Sequence, residues 1–386
     1  MRGLLPIAAA SGDAPGALIF PAANLREAAI VASLRLFPVD SLMAAARVLL
    51  SDHPVPAPAP TDATSSSFEL FVDDLSEVRG QLAGKRAIEI AAAGAHHLLL
   101  SGPPGAGKTM LARRLPGILP PLELREALAV TTIHSVAGQL PARGGLMGHR
   151  PFRAPHHTCS DIALVGGGST PRPGELSLAH GGVLFLDELP EFNRHCLEAL
   201  REPMESGMIT LARAGHRITY PARFQLVAAM NPCACGYLGD AEHACRCTPD
   251  QILRYRSRIS GPLLDRFDLH IQVNRLPPGD LLSPHRTGEC TEVVRARVIH
   301  CRLRQENRQG APNAQLAPDR LASICSLAER EKQWLETAAT RLHLSGRGLH
   351  RTLRVARTIA DLEECEAIGV GHLSEALGYR SNGSPD

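Results

Sequence analysis

A glycine-rich segment ending in Lys-Thr carries the most specific chemistry in this 386-residue chain. It follows an apolar run at 98–100 and precedes a helix-compatible stretch at 110–115. A strand, a glycine loop and a helix in this order let backbone N–H groups surround phosphates, and the helix dipole adds to the attraction. This context disfavours the alternative of a Gly/Pro surface loop. The predicted nucleotide-binding residues are Gly102, Pro103, Pro104, Gly105, Ala106, Gly107, Lys108 and Thr109.

Two acidic residues end a second apolar run, at 183–186. This pattern predicts a buried parallel strand whose carboxyl end emerges beside the phosphates. We expect Lys108 to neutralise the β- and γ-phosphates, and we expect Thr109 and Asp187 to hold Mg²⁺. Glu188 would orient or deprotonate the attacking water. The alternative, a core strand with Asp187 as a helix cap, is disfavoured by the glycine loop, so the two motifs together predict a nucleoside triphosphatase.

Two further polar residues are candidates for hydrolysis. Asn231 follows a third apolar run at 224–229, where it could touch the γ-phosphate or the water, although Asn-Pro is equally a turn signal. Arg266 lies between acidic residues ahead of a predicted strand at 269–273. An arginine flanked by acids is usually a surface ion pair. Its functional alternative is an arginine finger that enters a neighbouring subunit's site.

The composition of the chain is that of a protein with more than one core. Hydrophobic residues make up 44% of the 386 positions, which is enough for two or three domains. A formal net charge of +2 excludes both a highly basic tail and a disordered acidic chain. Aromatic residues, at 4%, leave little material for base stacking. The sequence has no apolar run of membrane-spanning length, and its ten cysteines suit a reducing compartment, so we predict a cytoplasmic protein.

Shifts in composition predict four parts. The first is short, with a predicted strand at 17–20 and helices beginning after Asn24 and Ser41. A Pro/Ser-rich stretch after it reads as a linker. The nucleotide motifs and then a helical region follow. The predicted boundaries are 1–50, 51–67, 68–280 and 281–386.

Longer stretches resemble one known family. The run PRPGELSLAHGGVLFLDEL at 171–189 resembles the magnesium-chelatase-like branch of the AAA+ ATPases, and within it the chain is similar to the ComM/YifB competence-protein family. Supporting stretches lie at 151–158, 231–237 and 353–362. The resemblance covers the chain from about Phe68 to Arg380. It implies an α/β fold with a P-loop αβα core, a parallel sheet and a C-terminal helical lid.

The resemblance also implies roles for single residues. Asn231 becomes the first sensor, Arg266 the arginine finger and Arg347 the second sensor, supplied by the lid. Arg351 and Arg354 share a helix face with Arg347, so spacing does not separate the three. We favour Arg347 because it stands at the start of the helix.

The first part of the chain departs from the family pattern. Family members normally carry a complete Lon-protease-like domain before the linker. Residues 1–50 resemble only the last portion of that domain, an α+β remnant. We therefore expect an N-terminally truncated member of the family.

Two Cys-x-Cys pairs form a candidate metal site within an insert at 233–247. Four thiolates so close in sequence can surround one Zn²⁺ tetrahedrally, although Cys-x-x-Cys is the commoner spacing. His243 is a spare ligand, and the alternative is a set of free thiols. The candidate ligands are Cys233, Cys235, Cys245 and Cys247.

Three other features keep both a structural and a functional interpretation. Alternation at 209–220 predicts a hairpin, which is either solvated or touches DNA in the pore of a ring. Residues 281–360 hold fourteen Lys/Arg against seven Asp/Glu, either a solvated face or an attraction for phosphate backbones. His156-His157 lacks the Glu of a metalloprotease motif, which disfavours a zinc hydrolase; as part of a family signature the pair more plausibly supports a subunit or DNA contact. The candidate DNA contacts in the hairpin are Arg213, His216 and Arg217.

The motifs predict an ATP- and Mg²⁺-dependent nucleoside triphosphatase. The family resemblance implies that it is a motor, assembled as a homo-oligomeric and usually hexameric ring, that acts on branched or single-stranded DNA. The ComM-like expectation is a branch-migration helicase in recombination or natural transformation. An AAA+ chaperone that remodels a protein complex, like a magnesium-chelatase motor subunit, is the alternative. The cysteine insert and the Lon-like remnant favour the ComM side. A regulatory module without turnover is disfavoured because every catalytic position is filled.

Overall fold

The structure is a computed structural model, and it describes residues 3–11, 16–31, 34–58, 73–140, 145–168, 171–213, 216–240, 242–277, 279 and 288–381. The strands are β1 (Ala17–Pro21), β2 (Arg35–Val39), β3 (Leu98–Ser101), β4 (Phe152–Arg153), β5 (Gly166–Gly167), β6 (Arg172–Pro173), β7 (Val183–Leu186), β8 (Met208–Arg213), β9 (His216–Pro221), β10 (Gln225–Met230) and β11 (Leu269–Gln272). The helices of the first half are α1 (Leu4–Ser11), α2 (Leu25–Ala28), α3 (Leu42–Leu50), α4 (Leu82–Gly94), α5 (Lys108–Ile118), α6 (Leu124–Ala137), α7 (Asp161–Val165) and α8 (Glu175–Leu178). Those of the second half are α9 (Arg194–Ala199), α10 (Arg201–Ser206), α11 (Pro249–Arg256), α12 (Gly261–Leu264), α13 (Thr291–Gln309), α14 (Pro318–Ile324), α15 (Glu329–Arg341), α16 (Gly346–Leu362) and α17 (Val370–Ser381).

A five-stranded parallel sheet in the order β11-β3-β10-β7-β4 lies at the centre of the chain. Its inner strands are mostly apolar, as expected where helices cover both faces of a sheet; the polar exceptions are Ser101 at the end of β3 and Gln225 at the start of β10. Alternate residues enter two different cores: Leu98 and Leu100 pack in one, and Leu99 in the other. The predicted α/β class with a parallel sheet and a helical C-terminal region is confirmed.

The C-terminal helices pack on one face of this sheet and share its apolar core. On α13 the residues Val294, Val298 and Cys301 are buried, as the predicted apolar stripe requires. Val355 and Ile359 of α16 enter the same cluster. The helical region therefore has a large common core with the sheet, and its helices are held in fixed positions around it.

The N-terminal part differs from the prediction in two places. The helix after Asn24 ends at Ala28, because the chain must turn for an unpredicted strand, β2, to pair in parallel with β1. Asn24 makes no capping hydrogen bond, since its side-chain amide donates to Glu27 instead. The Ser41 cap is confirmed, with its hydroxyl accepting from the Ala44 amide at 3.2 Å.

Glu27 connects this N-terminal part to α6 through hydrogen bonds. Its buried carboxylate accepts hydrogen bonds from the amide of Leu5 at 2.9 Å and from the hydroxyl of Ser135 on α6. Of the predicted linker at 51–67, residues 51–58 have no regular structure and the remainder lies outside the described residues.

The predicted hairpin is confirmed as the antiparallel pair β8–β9, with Arg213 opposite His216. Its turn, at 214–215, lies outside the described residues, as do the side chains of Arg213 and His216. Arg217 is exposed. No helix within the described ranges combines the length and the apolarity needed to cross a bilayer.

Candidate functional site

The glycine loop connects β3 to α5, as the strand–loop–helix pattern predicts. Gly107, the residue before the helix, has φ +93°, a conformation that residues with side chains rarely adopt. The turn at Gly107 therefore leads directly into the first turn of α5, whose backbone N–H groups have no partner within the helix. This geometry provides the backbone donors and the helix dipole that bind a phosphate chain.

Lys108 joins the glycine loop to the neighbouring strand. Its Nζ donates to the carbonyls of Gly102 at 2.6 Å and Pro103 at 3.0 Å, and to Asn231 Oδ1 at 3.1 Å. Burial lowers the pKa of Lys108, and the nearby carboxylates of Asp187 and Glu188 oppose that shift. The amine is therefore placed at the strand ends, beside both acids and the end of β10.

Thr109 and Asp187 form the part of the site that suits a divalent cation. The Thr109 hydroxyl donates to Asp187 Oδ2 at 2.8 Å, across the gap between α5 and the end of β7. A hydroxyl and a carboxylate oxygen are ligands that Mg²⁺ prefers, with phosphate oxygens and water as the others. The donor set therefore fits a nucleotide-bound Mg²⁺.

Glu188 has an unusual backbone and a partner that the sequence did not indicate. Its φ of +54° is left-handed, which is uncommon for any residue except glycine and concentrates at functional sites. Its carboxylate Oε2 lies 3.2 Å from Nδ1 of His157, and the His157 ring packs edge-on against Phe192. The second histidine of the 156–157 pair, interpreted from the sequence as a subunit or DNA contact, thus lies against the carboxylate predicted to act on water.

Arg266 lies at the other edge of the sheet. It precedes β11, whose first residue, Leu269, is level with the first residue of β3. Lys108 follows the end of β3. Arg266 therefore lies at the edge formed by the amino ends of the strands and Lys108 at the edge formed by their carboxyl ends, a strand length of about 10 Å apart. Arg266 donates to the Pro262 carbonyl at 2.7 Å and pairs with the carboxylate of Glu205. Within one chain, the structure does not bring Arg266 to the phosphate loop.

The three lid arginines have different surroundings. Arg351 donates to the Arg266 carbonyl at 2.7 Å and to Asp268 Oδ1 at 2.8 Å, and Arg354 donates to the Leu316 carbonyl at 2.6 Å. Arg347 is exposed and stands one turn before Arg351 on α16. Burial lowers the pKa of Arg266, and the charges of Arg347 and Arg351 lower it further. Arg347 therefore shares the edge that carries Arg266.

The four cysteines of the insert converge. Three sulfur–sulfur distances are 3.4, 3.7 and 3.6 Å, and all four sulfurs lie within 4.8 Å of one another. Zinc–sulfur bonds of about 2.3 Å in a tetrahedron require an edge of about 3.8 Å, so the arrangement fits one Zn²⁺. The converging ligands are Cys233, Cys235, Cys245 and Cys247.

His243 is not part of this cluster, so its suggested role as a spare ligand is wrong. Its ring stacks on Tyr237, with 4.9 Å between centroids, and its Nδ1 lies 3.4 Å from Asp240. The aromatic and carboxylate contacts hold the imidazole on the outer side of the insert. The four sulfurs alone supply a complete tetrahedral ligand set.

The parallel sheet and the polar residues gathered at its carboxyl edge define a P-loop nucleoside triphosphatase with an αβα core and a helical C-terminal region. The sequence matches the family described as "Magnesium chelatase, subunit ChlI" over residues 74–281, and its C-terminal counterpart over residues 288–380. It is also 50% identical over 342 residues to "Uncharacterized protein YifB" of Escherichia coli. The chain belongs to the magnesium-chelatase-like family of AAA+ ATPases, in the branch of YifB and ComM.

Other relatives show the breadth of this family. The chain is 44% identical over 385 residues to "Competence protein ComM" of Haemophilus influenzae, covering 99% of this chain and 75% of the relative. It is 26% identical over 343 residues to "Magnesium-chelatase 38 kDa subunit" of Cereibacter sphaeroides, covering 80% and 92%. The YifB match covers 89% of this chain and 66% of YifB. The chain thus spans about two thirds to three quarters of the length of the YifB and ComM proteins.

Proposed function

We propose that this protein is an ATP-hydrolysing ring motor that acts on DNA, as a branch-migration helicase of the ComM kind. One observation carries the proposal: the arginines and the phosphate-binding residues occupy opposite edges of the same sheet. A single copy therefore holds two half-sites that face different directions. Two copies placed edge to edge complete one ATP site, and the repetition of this contact in one direction closes a ring.

In the proposed reaction, each residue acts on one part of Mg-ATP. Lys108 neutralises the β- and γ-phosphates, while Thr109 and Asp187 hold the Mg²⁺. Glu188 orients and deprotonates the attacking water, and Asn231 fixes that water against the γ-phosphate. The next copy supplies Arg266 and Arg347 to the charge that develops in the transition state.

DNA is the proposed substrate for two reasons. The hairpin β8–β9 carries the exposed Arg217 one pair back from its turn-side end, and the relative at 44% identity is named a competence protein. The basic excess at 281–360 supports DNA binding less, because many of its arginines are engaged in ion pairs and hydrogen bonds within the protein. Arg297 pairs with Glu89, Arg308 pairs with Asp361, and others bind backbone carbonyls. We place the motor in the cytoplasm, where its ten unpaired thiols and its DNA substrate would be found.

The test is the ATPase rate with and without forked or four-way DNA. We expect stimulation by branched DNA, and we expect binding to weaken linearly in log–log form as salt rises, because protein cations displace counterions. Arg217→Ala should lose stimulation while keeping the rate measured without DNA, and the exposed Arg254→Ala on α11 is the matched control. Neither stimulation nor DNA binding by the wild type would contradict the proposal and favour the protein-remodelling alternative.

We also propose that the four-cysteine cluster holds one structural Zn²⁺. Protein purified in reducing buffer should contain about one zinc per chain by elemental analysis. The paired substitution Cys245→Ser and Cys247→Ser should abolish that content, since two ligands are lost, whereas Cys290→Ser lies outside the cluster and should not. Zinc-free wild-type protein that fails to take up added Zn²⁺ would refute the assignment.

A further inference from the structure

The cysteine insert lies directly on the phosphate loop. Gly236, in the turn after Cys235, has φ +85°, and a Cβ at this position would come within 2.8 Å of the Pro104 ring. Only glycine permits both the backbone conformation and this approach. The turn that closes the first pair of ligands therefore contacts the loop that binds phosphate.

Arg275 joins the insert to the same proline. Its Nη2 donates to the Pro104 carbonyl at 3.0 Å. Its remaining guanidinium atoms face the insert, with Nη1 3.7 Å from Glu242, Nε 3.9 Å from Asp240 and the group 6.0 Å from the centre of the Tyr237 ring. Nη1 also lies 3.4 Å from Nδ1 of His243, so one side chain contacts the phosphate loop on one side and four residues of the insert on the other. No feature of the sequence singled out Arg275.

The insert side of this contact is ordered by its own hydrogen bonds. Asp240 is almost fully buried at its side chain and accepts the amides of Glu242 and His243 at 2.9 and 2.8 Å. Its second oxygen, Oδ2, has no hydrogen-bond partner among the described residues and faces Arg275. The position of this carboxylate therefore depends on how the insert is closed, and closure is what four sulfurs around one metal would provide.

The end of the phosphate loop, at Ala106, is linked by hydrogen bonds to the segment that carries Arg275. The side-chain amide of Gln81 donates to the carbonyl of Asn274 at 2.6 Å and to that of Ala106 at 3.0 Å. Asn231, which accepts from Lys108, stands two residues before Cys233. Gln81 thus links the end of the phosphate loop to Asn274, the residue before Arg275, and Lys108 links the start of α5 to the residue that leads into the insert.

We infer that a metal bound by the four cysteines stabilises the conformation of the phosphate loop, and that Arg275 transmits this effect. Metal binding therefore raises nucleotide affinity. The inference rests on the zinc proposal but not on DNA as the substrate. Metal removes conformational freedom from residues 233–247, which leaves less to be ordered when phosphate binds. Coupling of this kind is reciprocal, so bound nucleotide should also slow the loss of zinc.

The test compares the affinity for a fluorescent ATP analogue, in excess Mg²⁺, before and after treatment of the full chain with a zinc-selective chelator and a reductant. We expect about a 5- to 150-fold weakening, the usual range of coupling between sites, and recovery when Zn²⁺ is returned. Saturating ATP should slow zinc transfer to a coloured chelator. An affinity unchanged by loss and return of zinc would overturn the inference while leaving the metal site itself intact.

Arg275→Ala tests whether Arg275 transmits the effect of the metal, because the substitution leaves all four metal-ligating cysteines in place. It should weaken nucleotide binding, keep about one zinc per chain, and make the remaining affinity insensitive to chelation. Arg254→Ala, an exposed arginine on α11, should change none of these values. Melting curves of each variant by circular dichroism separate loss of coupling from unfolding. If Arg275→Ala and chelation each weaken nucleotide affinity by an independent factor, and the two factors multiply, the metal does not act through Arg275. A chain without zinc in any preparation would overturn the inference together with the zinc proposal.

Discussion

Replacement of Glu188 by Gln should leave ATP binding and ring assembly intact and lower the turnover number by about 10²- to 10⁴-fold, the usual contribution of a general base. Gln has the shape of Glu and tolerates the left-handed backbone no worse, so the local structure should persist. The amide oxygen can still face His157, but it cannot take a proton from water. Only the chemical step is removed.

The measurement is kcat and KM for ATP, together with the affinity for a fluorescent analogue. Glu191→Gln is the matched control, because Glu191 lies three residues on and pairs with Arg258 at the surface. It should change turnover little. Unchanged turnover in Glu188→Gln would remove Glu188 as the residue that activates water, and a parallel loss of nucleotide affinity would instead assign it to binding.

The central motifs could be predicted because their information is local. The loop at 102–109 and the acids at 187–188 each follow an apolar run, and parallel strands place their carboxyl ends at one edge. Proximity of Lys108, Asp187 and Asn231 then follows from the fold class. No pairwise contact had to be known in advance.

The partners of these residues could not be predicted, because they depend on tertiary contacts between distant segments. His157 meets Glu188 only because β4 pairs with β7 and brings the following segment to the strand end. Arg275 reaches Pro104 because β11 lies beside β3 and leads back past the loop. The histidine pair at 156–157 was visible in the sequence but its partner was not, and Arg275 stands in no motif or periodic pattern that marks it.

The N-terminal part shows a different limit. The stretch after Asn24 has helical composition, yet pairing of β2 with β1 requires a turn after Ala28. Strand β2 contains Pro38 and a leading Arg35, which weaken any strand signal in the sequence. Tertiary pairing thus overrides local propensity in a short segment with little core of its own.

Net charge was the least informative quantity. The basic excess at 281–360 predicts a surface for phosphates as readily as a solvated face. In the structure, Arg302 and Arg354 bind backbone carbonyls, and Arg357 pairs with Asp361. Much of the excess charge therefore stabilises the junction of the helices with the core, a use that composition does not distinguish from binding.

Arg266→Ala should bind ATP normally and lose about 10³- to 10⁵-fold in turnover, the range attributed to arginine fingers. The residue lies at the edge of the sheet opposite to Lys108, so its effect on hydrolysis must be exerted on a neighbouring copy. Because Arg266 is itself buried, its truncation should also lower the stability of the fold, which melting curves would measure. The partner Glu205 is 62% exposed at its side chain and stays hydrated without the arginine.

Mixing variants decides whether the site is shared. Arg266→Ala keeps an intact phosphate loop, and Lys108→Ala keeps an intact Arg266, so a mixed ring contains complete sites where the loop of the first meets the edge of the second. Turnover should therefore recover on mixing, although each variant alone is inactive.

A second mixture is the control for this recovery, and it also tests the place assigned to Arg347. Arg266→Ala and Arg347→Ala both alter the donating edge, so every contact in their mixed ring lacks one arginine and no site is complete. Turnover in this mixture should stay at the level of the separate variants. Recovery there would place Arg347 in its own chain's site. No recovery with Lys108→Ala, in rings that still form by light scattering, would mean that Arg266 acts within one chain and that the two edges of the sheet do not form a shared site.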